Sequence, residues 1–242
     1  MKTNLFGTGL IAFASVLAGQ TFQSGPASTV LIELYTSEGC SSCPPAERWL
    51  SELKTSPTLW TQVVPVAFHV DYWDDLGWPD AYAKNTYTKR QSAYAATWGT
   101  RSVYTPGFVY QGREWRPDTL IPKATSPGLL ILHLNPDGSG TVSYKPTSPP
   151  AAKTVEASVA VLGCDVLVKV RAGENTGRTL AHDFIVLHVD TLRLTLTDGG
   201  TCTGSFPPPP SNLPKAGRHA LATWISLPGD QSPVQATGGW ID

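Results

Sequence analysis

The stretch from Val30 to Glu47, Val-Leu-Ile-Glu-Leu-Tyr-Thr-Ser-Glu-Gly-Cys-Ser-Ser-Cys-Pro-Pro-Ala-Glu, limits the fold more than any other part of the sequence. A β-branched and aliphatic run ends at Tyr35, Thr36 to Gly39 turns the chain, two cysteines follow at Cys-x-x-Cys spacing, and a helical pattern begins near Ala46. The order is strand, thiol-bearing turn, helix. A helix N-terminus presents unpaired backbone N–H groups and about half a positive charge, which favours a thiolate over a thiol. Cys40 is therefore the expected nucleophile and Cys43 the resolving thiol. Proline disfavours helical geometry in the residue before it, so Pro44 and Pro45 are expected to hold Cys43 and Pro44 extended and to delay the first helical turn to Pro45. Three chemistries suit such a pair: disulfide exchange, a permanent structural disulfide, and metal binding. No second Cys-x-x-Cys occurs, so a four-thiolate zinc site would need Cys164 and Cys202 to converge on the pair from distant segments.

The N-terminus bears on which chemistry the compartment permits. Lys2 begins a positive region, Leu5 to Leu17 is apolar and uncharged, and Ala18 and Gly19 are small, so residues 1–20 read as a signal peptide. The apolar segment is short for a membrane span, and no cysteine at its end suggests a lipid anchor. The expected location is periplasmic or secreted, where disulfides form and persist. A 15% share of charged residues with 22 glycines and 21 prolines fits a loop-rich extracytoplasmic chain. A formal net charge of −1 argues against a nucleic-acid groove or an anionic membrane surface, leaving proteins or small molecules as partners. The 242 residues, 41% hydrophobic, suffice for one large domain or two small ones.

Beyond the cysteines, Ala46, Trp49, Leu50 and Leu53 recur at helical spacing, and Ser56-Pro57 ends that helix. Val63 to Val70 is apolar enough for a strand buried on both faces. Strand, helix, strand makes a right-handed crossover, which brings the C-terminal strand ends together and places His69 and Asp71 near the cysteine turn. There an imidazole or a carboxylate can exchange protons with the thiols; the competing reading is a half-buried histidine bonded to a backbone carbonyl, with Asp71 capping the next turn. The aromatics of Tyr72 to Pro79 either wall a pocket or pack a loop. Asp80 to Trp98 reads as a helix whose basic residues form a solvated face rather than a nucleic-acid surface. Thr105-Pro106 then precedes an apolar strand, where proline removes a ladder donor and can be cis.

Residues 29–125 resemble a thioredoxin fold, and the details are similar to the secreted bacterial proteins of the domain of unknown function 1223 family. The resemblance rests on Glu33 to Ala46, Phe68 to Trp73 with Leu76-Gly-Trp78, Arg90-Gln91 with Tyr94, Val103 to Pro106, and Gly173 to Leu180. It implies that Pro106 is the cis-proline of that fold and that Thr105 offers backbone groups to a substrate as an added strand. It implies no reaction. In ordinary thioredoxins a buried acid on the strand before the motif assists proton transfer; here that position, six residues before Cys40, is Leu34, and Glu33 should point to the opposite face. His69, Asp71 and Glu33 are the relay candidates.

From residue 126 to 242 short strands alternate with turn clusters, as expected for an antiparallel sandwich or a sheet packed on the first half. Strands are expected at 129–134, 141–144, 155–162, 166–171, 184–196, 218–227 and 234–240. Pro207 to Pro210 reads as a stiff connector. Gly173 to Gly177 reads as a hairpin turn, or as a turn that brings Glu174 and Arg178 to the thiol site. In an exported chain Cys164 and Cys202 are expected to pair as a structural disulfide. His182, His188 and His219 are expected on strand faces, not in a zinc site. No phosphate loop or serine nucleophile elbow occurs. The expected protein is an α/β thioredoxin-like domain plus an antiparallel β-rich domain, a thiol–disulfide oxidoreductase that needs no cofactor and meets a disulfide or dithiol partner. Two alternatives stay open. One is a metal-handling protein resembling the copper chaperones of cytochrome oxidase assembly, with Cu(I) on Cys40, Cys43 and His69; the other is a binding module stapled by a permanent Cys40–Cys43 disulfide.

Overall fold

The computed structural model describes residues 19–25, 27–117, 125–148 and 154–241. The expected signal peptide lies outside these residues up to Ala18, and Gln20 already belongs to the first strand. The first half contains β1 (Gln20–Gln23), β2 (Val30–Thr36), α1 (Pro44–Glu52), β3 (Val63–His69), α2 (Asn85–Thr97), β4 (Gly107–Tyr110) and β5 (Arg113–Trp115). The second half contains β6 (Gly128–Leu134), β7 (Gly140–Pro146), β8 (Thr154–Cys164), β9 (Val166–Lys169), β10 (Thr179–His182), β11 (Ile185–Leu196), β12 (Cys202–Phe206), β13 (Arg218–Leu227) and β14 (Asp230–Ile241). Every residue of β3 is buried, in line with its unbroken apolar run.

β2 runs parallel to β3, with Thr36 opposite His69, and antiparallel to β4, with Leu34 opposite Phe108. Because side chains alternate along a strand, one face of this trio carries Leu34, Thr36, His69 and Phe108, and the other carries Glu33, Tyr35 and Phe68. α1 covers the first face, where Trp49 meets Phe108 edge-on and Glu47 reaches Thr36. α2 covers the second, where Tyr87 meets Phe68 and Tyr94 reaches Glu33. α2 starts at Asn85, five residues later than its sequence pattern suggests. Asp80 does not join the helix because its carboxylate binds the backbone N–H of Glu38 and Tyr82 and the ring of His69.

The two halves share one sheet. β11 pairs with β3 at Ile185, with β12 at its far end, and with β8 along its other edge, producing a mixed 12-stranded sheet; β9 and β10 form a separate ribbon. β8 and β13 are the middle layer of this assembly. Ala160, Leu162, Ala220, Ala222 and Trp224 point into a core shared with β2 and β3, while Val155, Ala157, Val159, Val161, Leu221 and Ile225 point into a second core with β6, β7 and β12. Both faces are apolar, so these strands are buried almost without interruption. The division expected near residue 125 is thus not a division of the core. Among the described residues, no helix is long and apolar enough to cross a membrane.

Candidate functional site: the cysteine turn and the buried cluster beside it

α1 begins directly after Cys43, and this corrects the extended geometry expected before Pro44. Cys43 is the N-cap with φ −76° and ψ −35°, in the right-handed helical region. Pro44 takes the first helical position, where its missing N–H is one that the helix leaves unpaired anyway. The Cys43 carbonyl accepts from Ala46 N and Glu47 N and closes the first turn. Cys40 and Cys43 are joined in a disulfide with S–S 2.12 Å. Both residues have 0% solvent exposure, whereas Ser41 and Ser42 between them are exposed.

The cover comes from the other half of the chain. Asn175 Nδ2 donates to the carbonyls of Glu38 (2.8 Å) and Cys40 (3.0 Å), and Glu174 Oε2 accepts from Ser41 N (3.1 Å). Arg178 Nη1 donates to Asn175 Oδ1 at 2.7 Å, so it orients Asn175 rather than meeting the cysteines. The segment from Gly173 to Gly177 is therefore a strap as well as a turn. Gly173 sits at φ +74°, and a Cβ there would come within 3.2 Å of the Trp78 Cβ, so glycine alone combines that backbone with this packing. The aromatics after β3 tie the turn to the proline segment: Trp73 packs against Gly39 and donates Nε1–H to Thr105 Oγ1 at 2.8 Å. The Thr105–Pro106 peptide bond, immediately before β4, is cis.

Beside the disulfide, on the α1 face, lies a buried cluster of Glu38, Glu47, His69, Asp80 and His182. Glu47 sits four residues after Cys43, one helical turn along the same inward face. Its Oε1 accepts from Thr36 Oγ1 (2.5 Å), and its Oε2 is 2.8 Å from His182 Nδ1, a contact without hydrogen-bond alignment. His182 arrives on β10, which packs on α1. His69 Nδ1 pairs with Asp80 Oδ2 at 2.7 Å, and its ring meets that of His182 edge-on with centroids 5.2 Å apart. Glu38 Oε2 accepts from Trp78 Nε1 at 2.6 Å, while its Oε1 is 3.7 Å from His182 Nε2. Burial opposes protonation of His69, yet the charge and hydrogen bond of Asp80, reinforced by Glu47 and Glu38, lift its pKa to about 9. Burial and the neighbouring Asp80 charge raise Glu38 above the usual carboxylate range against the Trp78 bond. Burial would also raise Glu47, but contact with His182, the imidazole charges and the Thr36 bond outweigh it and leave its pKa lowered.

The other residues singled out in the sequence lie elsewhere. Glu33 faces α2, where Arg90, Tyr94 and Tyr35 occupy both of its oxygens, so it does not reach the cysteines. Asp71 begins a short 3-10 helix instead of continuing β3, and its oxygens accept from Thr88 Oγ1 and Asn85 Nδ2 at the start of α2. Of the three relay candidates, only His69 is on the disulfide side, fully buried and bonded to a carboxylate rather than half-buried against a carbonyl. The ligand set Cys40, Cys43 and His69 is not assembled: the sulfurs are bonded to each other and His69 groups with Glu47 and His182. Cys164 and Cys202 are not a disulfide. Both are free buried thiols, the first in the core against β3, where Sγ accepts from Phe184 N, and the second in the core with β7. His188 pairs with Asp190, away from the cluster.

Three members of the arrangement, Glu38, Glu47 and Asp80, are not singled out by their sequence context, and His182, on β10 as its strand-face expectation has it, is not tied to the site by any spacing. Only Glu47 carries a local signal, its i, i+4 spacing from Cys43. His182 and Asp80 reach the site through strand pairing and a loop that no spacing announces.

A model of the family described as protein of unknown function DUF1223 matches residues 31–225. No curated protein matches the chain. Among solved structures, protein AGR_C_4864 from Agrobacterium tumefaciens superposes with a TM-score of 0.58 at 21% identity, over 89% of this chain and 94% of that one. HBP35 of Porphyromonas gingivalis gives 0.60 at 15% identity, over 90% and 77%. At these identities the two structures are likenesses of fold alone.

Proposed function

The chain belongs to the DUF1223 family, whose function is unknown, and from that premise we propose that it is an exported thiol–disulfide oxidoreductase built on a thioredoxin-like half. The observation that carries this reading is the Cys40–Cys43 disulfide at a strand-to-helix junction, with Cys43 as the N-cap of α1. The parallel β2–α1–β3 unit, α2 on the opposite face and the cis-proline before β4 support the thioredoxin-like part of this reading. In the reduced protein the Cys40 thiolate attacks a substrate disulfide, forming a mixed disulfide and releasing one substrate thiolate, which takes up a proton. The Cys43 thiolate then attacks Cys40 Sγ, frees the second substrate thiolate and restores Cys40–Cys43. The substrate gains the two electrons that the cysteine pair loses. Neither sulfur is exposed, so a partner reaches them by displacing the strap at Asn175. Ser41 and Ser42 are the exposed approach, and Thr105 is the backbone available to an extended peptide.

The test is a trapping experiment with reduced Cys43→Ser and glutathione disulfide. One glutathione held at Cys40, with faster capture than in denatured protein, is the expected result; capture no faster than in denatured protein would refute the assignment. One observation favours a second reading, in which the pair is a permanent staple and the protein a binding module: the complete burial of both cysteines. In that case the folded protein exchanges with neither glutathione nor a dithiol.

A further inference from the structure

The histidine–carboxylate cluster carries an assignment that stands whether or not the disulfide turns over. We propose that Glu47, His69 and His182 bind one divalent transition-metal ion of the zinc class beside the cysteine turn. One donor atom from each of the three lies within 4.8 Å of the other two, and all three residues are buried. Zinc to ligand distances near 2.0 to 2.1 Å imply donors about 3.4 Å apart in a tetrahedral site. Closing the longest edge therefore asks for no more than about 1.5 Å, a displacement that side-chain torsions supply.

The surroundings are those of a ligand set. His69 gives Nδ1 to the Asp80 carboxylate, which fixes the ring and leaves Nε2 turned inward with no hydrogen bond; a carboxylate behind the outer nitrogen is the usual support of a metal-bound histidine. Thr36 does the same for Glu47 by occupying Oε1. Buried polar atoms are nearly always hydrogen-bonded. Among the described residues eight buried side-chain atoms have no such partner, and four of them belong to this cluster: Glu38 Oε1, His69 Nε2 and both ring nitrogens of His182, one of which an ion would take. Three carboxylates against two imidazoles also leave an excess of buried negative charge, which a divalent cation neutralises. Two imidazoles and a carboxylate suit zinc or cobalt better than magnesium or calcium, which take oxygen shells. The pair Cys40 and Cys43 is no part of the site, because a disulfide offers no thiolate.

The experiment uses the full chain with Cys40–Cys43 kept oxidised, stripped with a chelator and titrated with Zn(II) against a chromophoric competitor, then with Co(II) followed by its visible absorption. The expected result is one equivalent of either ion, a rise in Tm on zinc addition, and the intense cobalt bands of a low-coordinate nitrogen and oxygen site. Asp80→Asn, which removes support but no ligand, is expected to weaken binding about 10- to 100-fold. His182→Asn and Glu47→Gln abolish the single-equivalent uptake, with circular dichroism confirming that each variant is folded, and Asp71→Asn leaves it unchanged. Absence of uptake by the oxidised wild type overturns the proposal, as does uptake undiminished in folded His182→Asn and Glu47→Gln. Binding that appears only after reduction of the disulfide also overturns it, by assigning the metal to the thiols.

Discussion

The two faces of the β2–β3 pair each bury a glutamate between strand and helix, and they treat it in opposite ways. On the α2 side Glu33 is closed in: Arg90 grips both oxygens at 2.7 and 3.0 Å, Tyr94 and Tyr35 complete the set, and the guanidinium lies over the rings of Phe68 and Trp224. On the α1 side Glu47 stands among Glu38, His69 and His182, and four buried atoms there have no hydrogen bond. A closed charge pair fixes how a helix sits on a sheet. An open one costs stability unless something else completes it, and the open one lies beside the disulfide.

The largest effect should come from opening the closed side. Arg90→Met leaves the buried Glu33 carboxylate with its two tyrosine hydroxyls but without a cation, and is expected to cost about 3–5 kcal/mol in urea unfolding. His182→Asn, measured the same way in metal-free protein, should cost less, since the ring forfeits no aligned hydrogen bond; equal losses would erase the contrast between the faces. Next in size is Asn175→Ala, which removes the side-chain donor from the Glu38 carbonyl and leaves the Cys40 carbonyl with the Cys43 N–H alone. A loss of about 1–3 kcal/mol is expected, together with faster reduction of Cys40–Cys43 by dithiothreitol, and an unchanged reduction rate would show that the strap does not guard the sulfurs.

A thiol count tests the two cores. Burial pushes the Cys164 thiol up to about 12, so iodoacetamide at pH 8 should label neither Cys164 nor Cys202 in the folded protein, and should label both once the unreduced protein is denatured. Labelling of neither after denaturation would mean that the two are joined. The smallest effect belongs to Asp71. The Thr88 hydroxyl above all, with Asn85, holds its pKa below the ordinary 3.8 against partial burial. Its stabilisation is complete above that value and disappears as the pH falls through the depressed one. Asp71→Asn should therefore lower the neutral plateau of the stability profile slightly and flatten its acid limb, with little change below the depressed pKa.

What the sequence disclosed follows from how far each signal reaches along the chain. The order of β2, cysteine turn, α1 and β3 is written in local periodicity and turn residues, and so are most of the later strands. Glu47 was within reach by the same means, through its spacing from Cys43. The partners of His69 were not, because Asp80 looks like the first turn of a helix and becomes a loop residue only through the contacts it makes with His69 and Glu38. The Cys164–Cys202 pairing, expected on the premise of export, is absent for a related reason: an oxidising compartment would permit a disulfide, but alternation along β8 sends Cys164 to one core while β12 delivers Cys202 to the other. The near-continuous burial of β8 and β13 likewise identifies strands covered on both faces without saying which two layers cover them.

The most direct test of the proposed function is the redox equilibrium of the protein in glutathione buffers, read by alkylation and mass, beside Cys40→Ser. A reduction potential within about −120 to −270 mV, with exchange lost in the variant, is expected of an oxidoreductase. A potential below about −300 mV, or a pair that does not exchange at all, would contradict it and leave Cys40–Cys43 a staple.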